Sequence, residues 1–214
     1  MFKYILFDFD GTVFDTVEGI TKCVRYALNK FGLDAELDSL RCFAGPPLVD
    51  MFMEKFNLSR EDAVQAVVYY RERYKPTGIY ESQPFPGIKD LLEGIKALGK
   101  SMAIATSKPQ IMAEELLDRG GLKKYFDVVC GALDEKSNAK WQVVTRAMES
   151  LGAKPEETVL IGDTKYDVIG AHQCSIPCIG VEYGYAAACE LEENGADYIV
   201  KDMEELLKLI KAGN

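Results

Sequence analysis

Short apolar stretches alternate with amphipathic stretches of about ten residues along most of this chain, and that rhythm leaves few folds open. Residues 3–9, Lys-Tyr-Ile-Leu-Phe-Asp-Phe, read as a buried strand bounded by Gly11. Residues 101–106, 127–130, 158–161 and 177–181 read likewise, and 198–200 add a short edge. Helical spacing lies between and beyond them over 88–98, 109–119, 139–151, 165–174, 187–194 and 203–211. Strands joined by helices of this length make right-handed crossovers and a parallel sheet, so an α/β core is expected. Residues 17–75 break the rhythm. Ile20, Val24, Ala27, Leu28 and Phe31 fall at helical spacing, and residues 48–56 continue in the same way. Ser59-Arg60-Glu61-Asp62 is a helix start, with a serine to cap it and acids in its first turn. The stretch carries no strand signal, so it is expected to be an all-helical insert, returning through the rigid turn Pro84-Phe85-Pro86-Gly87. The expected organisation is a core of residues 1–15 and 81–214 and a helical domain of residues 16–80.

The 214 residues suffice for one core with a smaller insert. With 48% hydrophobic and 28% charged residues, the chain can bury enough apolar surface to exclude disorder as its dominant state. No apolar run exceeds five residues, so no transmembrane helix is expected and a membrane is not an expected partner. Asp8 comes too early for the apolar part of a secretory leader, and a cytoplasmic location is expected. The net charge of −9 argues against a nucleic-acid partner. Residues 16–80 hold nine basic and nine acidic side chains, so the entire negative excess lies outside them. An anionic substrate approaching such a body needs a metal or local lysines. The six cysteines and single histidine lack the spacing of a zinc site, and free, mostly buried thiols are expected.

The strongest chemical signal is Asp8-Phe9-Asp10-Gly11-Thr12-Val13-Phe14-Asp15. Two carboxylates two apart, leaving a buried strand, repel each other unless a cation joins them. A hard divalent ion with oxygen ligands, most simply Mg2+, is that cation. An EF-hand loop is excluded, because Val13 and Gly19 stand where its glycine and glutamate belong. A second signal, Gly162-Asp163-Thr164-Lys165-Tyr166-Asp167, follows a strand directly. Asp163 and Asp167 are spaced to share a helix face; each alone would also serve as an ordinary partner of the helix dipole. Both lie at a strand's C-terminal end, where open α/β sheets bind ligands. The third signal is Ala105-Thr106-Ser107-Lys108-Pro109, with Pro109 suited to a first helical position. Its free amides and the Thr106 hydroxyl could hold a phosphate oxygen, or merely start a helix. The fourth is Lys140, a cation in a first helical turn, where it opposes the macrodipole and so has no stabilising purpose. Lys136, one turn earlier, competes for the same role.

These four signals, in this order and on these strand ends, resemble the four motifs of the haloacid dehalogenase-like phosphohydrolases over essentially the whole chain. The resemblance implies a Rossmann-like parallel-sheet core with an inserted all-helical cap domain. Gly45-Pro46-Pro47-Leu48, Gly184-Tyr185 and Gly195-Ala196-Asp197 resemble the phosphoglycolate phosphatase and 5′-nucleotidase-like branch, whereas Trp141 departs from the proline that often follows the lysine there. By that resemblance Asp8 is a nucleophile that forms an aspartyl-phosphate, and Asp10 is the general acid and then base. Mg2+ would be held by Asp8, the Asp10 carbonyl and Asp163, with Asp167 supporting the metal site. Thr106 and Lys140 would hold phosphoryl oxygens. Ser107, Lys108, Arg41, Gly45 and Pro46 are the further candidates for contact with a small phosphorylated metabolite, and Asp15 is expected to brace the loop. A phosphosugar mutase resembling β-phosphoglucomutase would use the same motifs, and a module that binds a phospho-ligand or a protein without turnover is the non-enzymatic alternative.

Overall fold

The computed structural model describes residues 2–133 and 139–212. Among them, six parallel strands form one sheet: β1 (Tyr4–Phe7), β4 (Ser101–Pro109), β5 (Val128–Ala132), β6 (Thr158–Gly162), β7 (Cys178–Val181) and β8 (Tyr198–Val200). Their order is β5-β4-β1-β6-β7-β8. Strand β1 is central, with Tyr4 opposite Ser101 of β4 on one side and Thr158 of β6 on the other. Ile5, Leu6 and Phe7 have no exposed surface, as a strand covered on both faces requires. On one face Leu6, Ala103 and Leu160 pack in a cluster with Val143, Val144 and Ala147 of α6 (Lys140–Leu151) and Val168 and Ala171 of α7 (Lys165–Gln173). Helices α4 (Ile88–Ala97), α5 (Gln110–Arg119), α8 (Glu190–Glu193) and α9 (Met203–Ala212) complete this part. The chain runs from β1 outward to β4 and β5, then returns to β6 on the other side. The carboxyl ends of β1, β4 and β6 therefore flank the point where the strand order reverses, which is where open α/β sheets bind ligands.

The chain divides into two compact units, one ending at Phe14 and resuming at Pro84, the other spanning Asp15–Gln83. The crossings are two-residue strands, β2 (Phe14–Asp15) and β3 (Gln83–Pro84), paired with each other. The second unit holds α1 (Val17–Asn29), a 3-10 turn over Leu37–Phe43, α2 (Leu48–Phe56) and α3 (Arg60–Tyr74). Ile20, Val24, Ala27 and Leu28 are the buried face of α1, which packs on α3. The Ser59 hydroxyl accepts the Asp62 N–H at 3.1 Å and starts α3 where the sequence indicates. Arg73 near the end of α3 binds Glu81 through two nitrogens, at 2.7 and 3.0 Å, and Lys22 reaches the same carboxylate at 3.1 Å.

Several expectations are corrected. The helix expected over 187–194 shrinks to α8, because Cys189 is left-handed (φ 64°) and cannot continue a helix backwards. Pro109 is not the first residue of α5; β4 shifts register after Ala105 and resumes pairing at Pro109 with Ala132, so the helix opens at Gln110. Strand β1 ends at Phe7, two residues early. The thiols are all free, but only Cys23, Cys130 and Cys178 are buried; Cys174 is half-buried, and Cys42 and Cys189 are exposed. Among the described residues no helix is long and apolar enough to cross a membrane.

Candidate active site

Two strand ends and two helix starts deliver the charged groups. Asp8 follows β1, Asp163 follows β6, and Asp167 lies in the first turn of α7; all are buried, with a carboxylate oxygen of each within 4.8 Å of the others. Lys140 is the first residue of α6 and is also buried. Its Nζ lies 2.6 Å from Asp8 Oδ1, 2.7 Å from Asp167 Oδ1 and 3.3 Å from the Ala105 carbonyl. Asp167 divides its two oxygens: Oδ2 accepts the Thr164 N–H at 3.0 Å and hydroxyl at 2.9 Å, capping α7, while Oδ1 faces Lys140. Asp163 stands in the turn ahead of α7, so a shared helix face is not what brings the two together. Its Oδ1 accepts the Thr12 hydroxyl at 3.1 Å and its Oδ2 the Tyr185 N–H at 2.8 Å. Gly11 turns the chain at φ 85°, and a Cβ on either Gly11 or Gly184 would strike the Asp163 side chain.

Asp10 is set apart. Its carboxylate meets Lys108 Nζ at 3.0 and 3.4 Å, so only Asp8, Asp163 and Asp167 of the four expected acids cluster by their side chains. Thr106 is buried, and its hydroxyl oxygen accepts the Lys108 N–H at 3.2 Å; Ser107 is half-buried. Lys136 lies outside the described residues.

Burial pushes the Asp8 carboxyl up to about 6, with Lys140 opposing and Asp167 adding to the rise. Burial, then Asp167 and Asp8, raises Asp163 well above the usual carboxylate range. Burial works to lower Lys140, but Asp167 and Asp8 outweigh it and hold the ammonium above its ordinary value. Two of the three buried carboxylates thus share one ammonium, Asp163 has none, and two negative charges in the cluster are unbalanced when all are ionised. The donors are all oxygens. That set fits a hard divalent cation such as Mg2+, which restores the balance.

A model of the haloacid dehalogenase-like hydrolase family matches residues 5–181. The chain belongs to that family. A 5′-nucleotidase of Pseudomonas aeruginosa is 36% identical over 210 residues, covering 97% of this chain and 95% of its own. A pyrophosphatase of Halalkalibacterium halodurans is 30% identical over 210 residues, covering 96% of this chain and 95% of its own. The crystal structure of a predicted phosphatase from Clostridium acetobutylicum superposes with a TM-score of 0.95 at 44% identity, covering 99% of each chain. These relatives are named as a nucleotidase, a pyrophosphatase and a predicted phosphatase.

Other parts of the hydrolase were not singled out from sequence. Thr12 and the loop at Tyr183–Tyr185 orient Asp163, the Tyr183 hydroxyl donating to the Thr12 carbonyl at 3.1 Å. Gly170 lies against Lys140, whose stem a Cβ there would strike. Thr12 stands inside the first motif, and Gly184-Tyr185 is among the segments that carry the resemblance, though neither has an expected role from sequence; Tyr183 and Gly170 have no signal. The remaining candidates fall in the helical unit: Arg41 is exposed at the end of the 3-10 turn, Gly45 is at φ 108° and Pro46 is half-buried. Asp15 Oδ1 accepts the Val17 N–H at 3.3 Å, next to the crossing.

Proposed function

We propose that this chain is a Mg2+-dependent phosphomonoester hydrolase that works through an aspartyl-phosphate on Asp8. Its substrate is a small phosphorylated metabolite such as phosphoglycolate or a nucleoside monophosphate. The strongest support is the buried group of Asp8, Asp163, Asp167 and Lys140 at the reversal point of the sheet. Asp8, the Asp10 carbonyl and Asp163 are the residues to hold Mg2+, with Asp167 behind them; the bound ion supplies charge neutralisation for the phosphoryl oxygens.

In the first half-reaction an Asp8 oxygen attacks phosphorus, the bond to the leaving oxygen breaks, and Asp10 gives that oxygen a proton. In the second, water attacks the phosphorus and passes a proton to Asp10, the bond from phosphorus to the Asp8 oxygen breaks with its electron pair returning to Asp8, and inorganic phosphate leaves. Thr106 and Lys140 stabilise the charge on the transferring group, the larger contribution for so slow an uncatalysed reaction. Arg41, Gly45 and Pro46, with Ser107, select the organic part of the substrate. The names of the relatives, nucleotidase and pyrophosphatase among them, support the reaction class.

The test is phosphate release with Mg2+ across phosphoglycolate, nucleoside monophosphates and sugar phosphates. One class should stand well ahead of the others. No release from any of them, together with isomerisation of glucose 1-phosphate in the presence of a bisphosphate primer, would make the protein a mutase.

A further inference from the structure

We propose that Lys108 is the positioning residue for Asp10, its ammonium fixing the direction of the carboxylate that takes the proton of the hydrolytic water. This role rests on the assignment of Asp10 as the acid–base group and extends it to a second residue. The backbone puts Lys108 there by a distortion. From Ala105 to Pro109 strand β4 takes four steps while β5 takes two, from Cys130 to Ala132. The extra residues bulge from β4 next to β1, the strand that Asp8 follows. Bulges beside active sites commonly re-aim a side chain in this way.

The bulged segment is held from two directions. The Thr106 hydroxyl oxygen accepts the Lys108 N–H at 3.2 Å. On β5, a Cβ on Gly131 would lie 2.6 Å from the Lys108 carbonyl oxygen and 2.7 Å from the Gln110 nitrogen, so only glycine permits this approach. From that base the lysine stem runs over the Phe9 ring, with Nζ 5.6 Å from its centre. The side chain is 4% exposed. Nζ lies 3.0 Å from Asp10 Oδ1 and 3.4 Å from Oδ2, so both oxygens are engaged and the carboxylate plane is set.

Stability alone is a poor account of this pair, because removing two charges from water offsets most of what their attraction returns. Direction is what a general base needs. An ammonium is the partner of a carboxylate, the form required in the second half-reaction. There the water oxygen bonds to phosphorus and the bond from phosphorus to the Asp8 oxygen breaks. Its electron pair returns to Asp8, the water proton passes to Asp10, and inorganic phosphate departs.

Rapid-mix kinetics with p-nitrophenyl phosphate and Mg2+ separate the two halves, since nitrophenolate leaves without a proton. Lys108→Met should give a burst approaching about one nitrophenolate per site, at near the wild-type burst rate. Steady turnover should then be slower by about 10- to 100-fold, part of the 10²–10⁴ typical of acid–base catalysis. Acid-quenched phosphoenzyme should accumulate, and Lys108→Arg should recover most of the steady rate. Lys108→Gln is measured in parallel, with the same two outcomes, should the methionine variant not fold. Asp10→Asn is the control and should burst in the same way; if it turns over like wild type, the assignment of Asp10 fails and Lys108 has nothing to position. If Asp10→Asn bursts while Lys108→Met keeps the wild-type steady rate, or loses burst and steady rate alike, the proposal is overturned.

Discussion

Each unit of the molecule holds a group of interacting charges, and the two groups are built to opposite rules. In the helical unit Arg73 and Lys22 converge on Glu81 and Lys22 also pairs with Glu18, so two cations balance two acids. The Arg73 hydrogen bond holds Glu81 below its usual range, although burial works the other way. In the core, Asp8 and Asp167 share Lys140 while Asp163 beside them has no cation of its own, and burial lifts Asp8 and Asp163 above their usual range. The first arrangement is complete as it stands and braces a fold. The second is an unfinished set of charges, of the kind that a hard divalent cation would balance. The direction in which a carboxylate is moved therefore separates bracing from chemistry here, as perturbed groups at functional sites lead one to expect.

The sharpest way to break this contrast is Asp8→Asn. Turnover should fall by at least about four orders of magnitude, as loss of a catalytic nucleophile does elsewhere. The circular dichroism spectrum should not change, and the melting temperature should stay or rise, because one of three crowded acids is gone. Substantial activity in the folded variant would mean that the core cluster is merely structural.

Metal removal comes next. EDTA should abolish phosphate release and Mg2+ should restore it. Mg2+ should also raise the melting temperature, since a ligand at 100 times its Kd adds about 2.7 kcal/mol to the folded state. Asp163→Asn should shrink that thermal shift. A melting curve indifferent to Mg2+ in the wild type would leave the three acids without their expected partner.

Smaller effects belong to the helical unit. Arg73→Met leaves Glu81 half-buried beside Lys22 alone and should lower stability by about 1–3 kcal/mol in urea titrations, with turnover of p-nitrophenyl phosphate unchanged while the protein is folded. A large loss of turnover at full folding would place Arg73 in the chemistry and dissolve the contrast. The smallest effect is one of pH. The folded value of Glu81 lies below its ordinary 4.5, so its stabilisation is complete above that value and is lost as pH falls through the folded one. The gap in stability between wild type and Glu81→Gln, on the order of 1 kcal/mol at neutral pH, should narrow in urea titrations as pH falls below 4.5.

Much of this was legible in the sequence because the signals are local. Ser59 with Glu61 and Asp62 marked the start of α3, and the apolar run of β1 announced a strand buried on both faces. Lys140 stood out as a cation where the helix dipole disfavours one, and the structure supplies two carboxylates that outweigh the dipole. The features that escaped depend on distant or non-periodic partners. Strands β2 and β3 are too short to show a period. The excursion in β4 is invisible in Ser-Met-Ala-Ile-Ala-Thr-Ser-Lys-Pro, because the extra residues are defined only by Cys130 and Ala132 beside them. Asp163 and Asp167 meet through a turn and a helix cap rather than along a helix face. Thr12 lies inside the first motif and Tyr185 in a segment that carries the resemblance, but their bonds to Asp163, and that of Tyr183 to the Thr12 carbonyl, span more than twenty residues and leave no local signal.

The paired crossings at Phe14–Asp15 and Gln83–Pro84 bear on the order of folding. The central strand is made first, yet Tyr4 must wait for Ser101 and Thr158. Closing so long a loop of unstructured chain carries an entropy penalty that grows with its length. The insert is a continuous stretch whose helices α1, α2 and α3 contact one another, so its contacts are of the short-range kind that form early. Once it has formed, β2 and β3 lie side by side, and the open chain between β1 and β4 is shortened to residues 8–14 and 84–100, which include α4. An insertion that would delay the sheet if it were loose thus becomes, when folded, the clasp that brings its first two strands within reach.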